Sequence, residues 1–399
     1  MTFHRPALPA GVLILLLWFA GLGAAAQFAK IGVPFEEIRV MFPKAGARAG
    51  WLLSLVSLIG AVFGLVAGSL VLGIGLRRAL LAALLLGGAV SLVQARMDAL
   101  TPLLFSRAVE GASHLFIVIA APTLIAQLAP DRYRNLAMTL WATFFGVTYV
   151  IMAWLGLPLI RKASLGVLFQ WHGAFMLAMA ALLWAVLPRV RRGEVPRLPS
   201  ASGILVAQRR AYASPRIAAP GLGWLFYTLT FVSLLAILPA LMPPDRRALM
   251  IAALPLISIA SSLMLVPLLL RFTSAVGLIQ LGFMSAALSA AAMLLPDDPS
   301  LPAMALFAAL GIIQGASFAA VPVLNADLGD RALANGLMAQ MGNLGNLLGT
   351  PLLMLTQLHL GGAGLIAMVV GGYVIAVLCH RWMARRRDRL AHSAETRAG

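Results

Sequence analysis

The 399-residue chain is 61% hydrophobic and 11% charged, with a mean hydropathy of +0.94, whereas a soluble domain holds about 45–50% apolar and about 25% charged residues, so a water-soluble globular fold is excluded. Its 30 basic residues outnumber 13 acidic ones, a formal charge of +17, but they fall in the gaps between apolar runs, where they set orientation or meet anionic lipid rather than nucleic acid. Three lysines (Lys30, Lys44, Lys162) leave no GxxxxGK[ST] phosphate loop, the single cysteine Cys379 leaves no disulfide or thiolate cluster, and the six histidines show no ligand spacing, so no metal, no cofactor and no enzyme is implied.

Apolar stretches of about 17–25 residues, bounded by charges or by proline and glycine, predict twelve transmembrane helices. They cover roughly 9–29, 50–75, 79–95, 102–128, 135–160, 168–188, 219–242, 247–270, 273–295, 302–326, 334–357 and 362–380. The runs are long and do not alternate, unlike the ~10-residue dyad strands of a membrane barrel. The first run, in MTFHRPALPAGVLILLLWFAGLGAAAQ, also has the layout of a secretory signal peptide with a small-residue site at Ala24 to Ala26. Cleavage would leave eleven spans and put one basic terminus on the wrong side, so the run is read as a retained helix.

With the N-terminus cytoplasmic, 20 basic residues fall inside. They are Arg5, Arg77, Arg78, Arg132, Arg134, seven arginines from Arg189 to Arg216, Arg271, Arg331 and six from Arg381 to Arg397. Nine fall outside (Lys30, Arg39, Lys44, Arg48, Arg96, Arg161, Lys162, Arg246, Arg247), and Arg107 stays in the membrane. The bias predicts a multi-pass inner or plasma membrane protein with both termini in the cytoplasm.

The longest polar interval divides the spans six and six, giving a first bundle over 1–188, a basic cytoplasmic linker over 189–218, and a second bundle with a basic tail over 219–399. Within the linker, GILVAQRRAY is read as solvated chain, with an interfacial amphipathic helix as the alternative. A weak internal repeat agrees with the division: EGAS, Pro122 and Asp131-Arg132 in the first half against QGAS, Pro322 and Asp330-Arg331 in the second. Aligned on Gly111 and Gly315, the copies drift apart by about one helical turn; chance similarity of Gly/Ala-rich helices is the alternative.

The fourth span carries the chemistry. In RAVEGASH, at about 100° per residue, Glu110, Gly111 and His114 lie near −60°, +40° and −20° from Arg107, all on one face. An intramembrane charge costs at least about 2.5–3.5 kcal/mol, so such residues face the bundle interior and have partners. Glu110 at i+3 is one, Gly111 leaves room beside it, and Gln27 of the first span reaches similar depth as hydrogen-bond partner or co-ligand. The other reading is a structural ion pair fixing the fourth helix on the first, although such pairs seldom offset their own desolvation.

LFSRAVEGAS resembles the fourth-helix motif of the major facilitator superfamily, an arginine, two residues, a polar residue and glycine, with Arg107, Glu110 and Gly111 in those places. QGAS at 314–317 is similar to its second-half counterpart, with Gly311 where an arginine would stand. The loop motif between the second and third helices is eroded: GSLVLGIGLRR keeps Gly68, Gly75, Arg77 and Arg78, but Leu72 occupies the aspartate position. WATFFGVTYVIMAWLGLP lacks the Gly-Pro pair of drug/proton antiporters. RxxEG with AAPTLIA and Trp141 resembles the cyanate-permease-like and related anion-permease branches.

The resemblance implies an all-α polytopic fold of two pseudo-symmetric six-helix bundles and a monomeric secondary active transporter of a small polar or anionic solute. Its partners would be that solute, protons and the lipid bilayer, with no nucleic acid. Arg107 would hold an anionic group or pair with Glu110, and protonation of Glu110 would release it to the solute. His114 would relay protons or sit as a satisfied core histidine.

Gln314, Asn325, Gln340, Asn343 and Asn346 would line a cavity in the second half or act as interhelical glue. Asp327 and Asp330 with Arg331 would form a gate or a solvated turn. Gly60, Gly64 and Gly68, and Gly342, Gly345 and Gly349, allow close helix approach. By resemblance, their helices face each other across the halves. A proton-driven efflux antiporter, and a non-transporting receptor or assembly protein on the same scaffold, are the competing functions.

Overall fold

A computed structural model describes residues 8–188 and 200–398. The described residues are helical with no strand, and they fall into two compact units, Met1–Pro199 and Ser200–Gly399.

In the first unit α1 spans Ala10–Gly32 and α2 Phe35–Met41; α3 (Gly50–Ser54) runs through a 3-10 turn at Leu55–Ser57 into α4 (Leu58–Ile74). Gly75, at φ 95°, supplies the left-handed turn into α5 (Leu76–Gln94). Then come α6 (Leu100–Leu128), α7 (Arg134–Ala142), α8 (Phe144–Ile151), a π turn at Met152–Gly156, α9 (Leu157–Lys162) and α10 (Leu165–Val186). Ser164 starts α10 as its N-cap, accepting from the Val167 amide at 3.2 Å.

The core of this unit is one seam: Leu13, Leu17, Ala20 and Ala24 of α1 against Leu80 and Leu84 of α5, Ile117, Ala121 and Leu124 of α6, and Met176, Ala180 and Leu183 of α10. Two close approaches fix the spacing. A Cβ on Gly88 would stand 3.1 Å from the Gly173 carbonyl, and one on Gly173 2.9 Å from the Gly88 carbonyl. A Cβ on Gly111 would run into the carbonyl of Val56, so α6 lies directly on the 3-10 turn.

The second unit holds α11 (Ala201–Ala213), α12 (Ala218–Ile237), α13 (Pro244–Ala260), a π turn at Ser261–Leu265, α14 (Val266–Leu269), α15 (Ala275–Ala292), α16 (Ser300–Leu324) and α17 (Leu328–Ala398). Of the expected linker, 189–199 lie outside the described residues, and 201–213 form helix α11 rather than solvated chain. Ser200 caps α11 on the Gly203 amide, Arg210 pairs with Asp330, and Gln208 donates to Gln340 at 3.1 Å.

Eleven described segments are long and apolar enough to cross a membrane. The last, Gly329–Leu390, has 62 residues, about 93 Å as one helix, twice the ~40–45 Å of a whole bilayer. It is broken at Gly361 (φ 68°, ψ −168°). Thr350 donates to Ser233 at 3.0 Å and Tyr373 to Thr230 at 2.8 Å. Positions 23 apart on α17 thus meet α12 within one of its turns, which requires the chain to reverse at Gly361. The two arms correspond to the expected spans at 334–357 and 362–380.

The internal repeat has a register other than the one the GAS triplets suggest. A Cβ on Gly311 of α16 would run into the carbonyl of Ser258 in α13, as one on Gly111 meets Val56. Pairing Gly111 with Gly311 also pairs Pro122 with Pro322, and the one-turn drift disappears.

Candidate functional site

Four helices of the first unit bring polar side chains into its interior: Gln27 and Lys30 from α1, Ser91 and Gln94 from α5, Ser106, Arg107, Glu110 and Ser113 from α6, and His172 from α10. Lys30, Arg107 and Glu110 are each 0% exposed. Both carboxylate oxygens of Glu110 are engaged. Lys30 Nζ donates to Oε1 at 2.7 Å; Arg107 Nη1 and Gln94 Nε2 donate to Oε2, the latter at 2.9 Å.

The two cations are also held by neutral acceptors. Lys30 donates to Gln94 Oε1 at 2.7 Å and Ser91 Oγ at 3.0 Å, and lies 4.9 Å over the Phe169 ring. Arg107 Nε donates to the Leu52 carbonyl at 2.7 Å and Nη2 to the Gln27 carbonyl at 2.5 Å. Leu52 and Val56 are four apart, so the close approach at Gly111 also brings the Leu52 carbonyl to Arg107. His172 Nε2 donates to the Gly23 carbonyl at 3.0 Å, which leaves Nδ1 as an acceptor facing Lys30 (3.3 Å) and Ser91 (2.9 Å).

Two permanent or ordinary cations share one carboxylate, so the ionised cluster buries one surplus positive charge. Placing charges in a low-dielectric interior without full compensation costs several kcal/mol per ion. A cluster with that imbalance is a poor device for stability.

Of the residues read from sequence, Arg107 and Glu110 form the centre. Gln27 contributes its backbone carbonyl to Arg107, while its side chain donates to Ser113 Oγ at 2.8 Å and leaves its buried Oε1 without a partner. His114 stands apart, its Nδ1 3.1 Å from the Ala24 carbonyl and its ring edge-on to Phe28.

Lys30 corrects an expectation. It is not in an external loop, because α1 continues to Gly32 and ends before Pro34 rather than at the lysine. The usable signal was that Ile31, Gly32 and Val33 after it are apolar. Ser91 and Gln94 were missed because neutral side chains near the end of a span carry no charge signal, and His172 because a lone histidine shows no ligand spacing.

The second-half candidates do not gather into one site. Asn325 closes the end of α16 through Val321 and Arg216 carbonyls, Gln340 receives Gln208 and Tyr212 from α11, and Asn343 donates back to Ala339. Asn346 keeps a buried Oδ1 without a partner, and Gln314 is half-buried. Gly342, Gly345 and Gly349 face α12 of their own unit, against Trp224, Leu225 and Leu229. Asp330 pairs with Arg210, not Arg331, whose Nε donates to the Asn325 carbonyl at 2.8 Å.

In the second-to-third turn of the first unit, Arg77 holds the end of α10 through the Trp184 (2.6 Å) and Leu187 (3.2 Å) carbonyls, and Arg78 is exposed. Gly60 and Gly64 are buried; a Cβ on Gly68 would meet open space. In the corrected repeat register, Arg107 and Glu110 correspond to Phe307 and Leu310, both buried, with Phe307 against Phe231. The second unit repeats the packing and replaces the charges with apolar groups.

The family profile described as Major Facilitator Superfamily matches residues 17–350. The chain belongs to the Major Facilitator Superfamily. It is accordingly a multi-pass membrane protein of a transporter family, whose members are generally not enzymes. Among solved structures, it is similar to a bacterial homologue of the human lysosomal transporter Spinster, in an inward-facing and unoccupied conformation. The TM-score is 0.72 at 15% identity, covering 94% of this chain and 97% of that one, which is a likeness of fold. No curated protein sequence matches significantly.

Proposed function

We propose that this member of the superfamily is a secondary active transporter that moves a small polar or anionic solute by alternating access, coupled to protons through Glu110. The observation that carries the reading is the fully buried arrangement of Lys30 and Arg107 on the two oxygens of Glu110. Protonation of Glu110 removes the anion from both cations at once, and a solute anion satisfies them. Proton and solute are then linked at one point, as coupling requires.

The charge distribution supports entry from the side opposite the basic loops. Lys30, Gly32 and Gln94 lie at the ends of α1 and α5 that the positive-inside count puts outside.

The test is counterflow and pH-jump uptake in proteoliposomes. Wild-type protein exchanges solute across the bilayer and accumulates it under an inward proton gradient. Glu110→Gln keeps counterflow and loses the gradient's effect. A wild-type protein that exchanges solute but ignores the gradient refutes the coupling, and one with no counterflow for any solute refutes transport.

A further inference from the structure

Lys30 and Arg107 are anchored independently of Glu110. Lys30 keeps Ser91, Gln94 and the Phe169 ring; Arg107 keeps the Leu52 and Gln27 carbonyls. If the Glu110 carboxylate leaves, the two cations stay aimed at the space it occupied, which is one carboxylate wide. That is a preorganised clamp, and its present occupant is the protein's own side chain.

From this geometry we infer that the solute is a small organic monocarboxylate whose carboxylate replaces that of Glu110 on Lys30 and Arg107, with one proton taken up by Glu110 per anion bound. The inference rests on the transport reading above and names its solute class.

A like-for-like exchange fits the monovalent ion, because the clamp accepts one carboxylate and that carboxylate brings the single charge that Glu110 gives up. The empty cluster buries two positive charges and one negative. With Glu110 protonated and a monocarboxylate in its place, the cluster again buries two positive charges and one negative, so loaded and empty forms carry the same charge across the membrane. Under the same exchange a dianion changes that sum by one unit, and a neutral solute leaves two cations facing each other unpaired. Gln94, bonded to Ser106 Oγ (3.0 Å) as well as to Glu110, is held in place when the acid moves away.

The charged and titratable groups around Glu110 are Lys30 from α1, Arg107 and His114 from α6, His172 from α10 and Tyr149 from α8; α5 offers only neutral Ser91 and Gln94. His172 Nε2 bonds the Gly23 carbonyl and His114 Nδ1 the Ala24 carbonyl, whereas Glu110 is the one carboxylate among these groups and the one whose protonation frees both cations together.

An organic body is supported by the aromatic run beside the clamp. His114 meets Phe28 at 4.9 Å, Phe28 meets Phe145 at 5.9 Å, and Phe145 stacks on Tyr149 at 5.1 Å, with Phe145 and His114 only half-buried. Phe28 and Tyr149 are themselves buried, so an organic body would meet the run at Phe145 and His114.

The experiment is titration calorimetry on the purified full chain in two buffers of different ionisation heat, with propionate, benzoate, succinate, propionamide and benzamide. The monocarboxylates are expected to bind, each with uptake of one proton, and the amides to bind at least about tenfold more weakly. Lys30→Met weakens the carboxylates by about tenfold or more while Lys30→Arg retains them. The inference is overturned if no monocarboxylate binds, if succinate or the amides bind equally well, or if the anion binds without a proton. Counterflow of a neutral solute alongside such a failure would leave the transport reading standing and remove this one.

Discussion

Lys30 Nζ lies 2.7 Å from Glu110 Oε1, joining the last turn of α1 to the middle of α6 across 80 positions of sequence. The contact turns an ordinary i,i+3 pair into a triad with a surplus charge, and that surplus predicts an unequal response to mutation. Removing Lys30 as Lys30→Met leaves Arg107 and Glu110 balanced. Removing the anion as Glu110→Gln leaves two buried cations with no counter-charge, at a cost of about 3–5 kcal/mol. Thermal unfolding in detergent should place Glu110→Gln far below wild type and Lys30→Met within about 1 kcal/mol of it or above. Equal losses from both would mean that the surplus charge is compensated by something else.

Arg107 and Glu110 were legible because an ion pair at helical spacing in an oily run has no surface to go to. Lys30 was not, because a single lysine beside a predicted span end looks like a flanking charge, and only the continued helix to Gly32 distinguishes the two. The fold was legible from span length and charge asymmetry. The register of the repeat was not: EGAS and QGAS align by residue identity, whereas the packing aligns Gly111 with Gly311 by the carbonyl each must admit. Identity of small residues carries little register information in helices full of them. Contacts such as Gln340 with α11 depend on a helix whose composition reads equally well as linker.

The shared close approaches predict matched sensitivity in the two units. Gly111→Ala and Gly311→Ala each drive a methyl into a backbone carbonyl, of Val56 and Ser258 respectively, which cannot give way as a side-chain tip can. Each should lose about 1–3 kcal/mol of stability despite the helix propensity gained. Gly68→Ala, where the added methyl meets nothing within 4 Å, should be neutral or gain about 0.5–1 kcal/mol. Melting temperatures of the three variants check the ordering. An inverted order would remove the proposed register.

Gly361 carries the reversal between the two arms of α17 at φ 68° and ψ −168°, a region that only glycine occupies readily. Nothing stands within 4 Å of where its Cβ would be, so Gly361→Ala tests backbone strain without a clash. The expected loss is about 1–3 kcal/mol, read as a lower melting temperature. Gly362→Ala, next to it and equally uncrowded, should cost less than half as much. If the two variants melt together, the turn is not pinned at 361.

Moving Lys30 from the external count to the membrane interior leaves 20 basic residues on one side and eight on the other, which strengthens the predicted orientation. Cys379 is the single native cysteine, so a Cys379→Ser background makes labelling unambiguous. Lys44→Cys, at an exposed position between α2 and α3, should react with a membrane-impermeant maleimide on intact cells. Arg209→Cys, exposed on α11, should react only after permeabilisation. The opposite pattern would reverse the side from which the proposed coupling has Glu110 take its proton, because the cluster sits toward the α1 and α5 ends that carry Gly32 and Gln94. The direction of proton-driven movement therefore stands or falls with which of the two cysteines is labelled first.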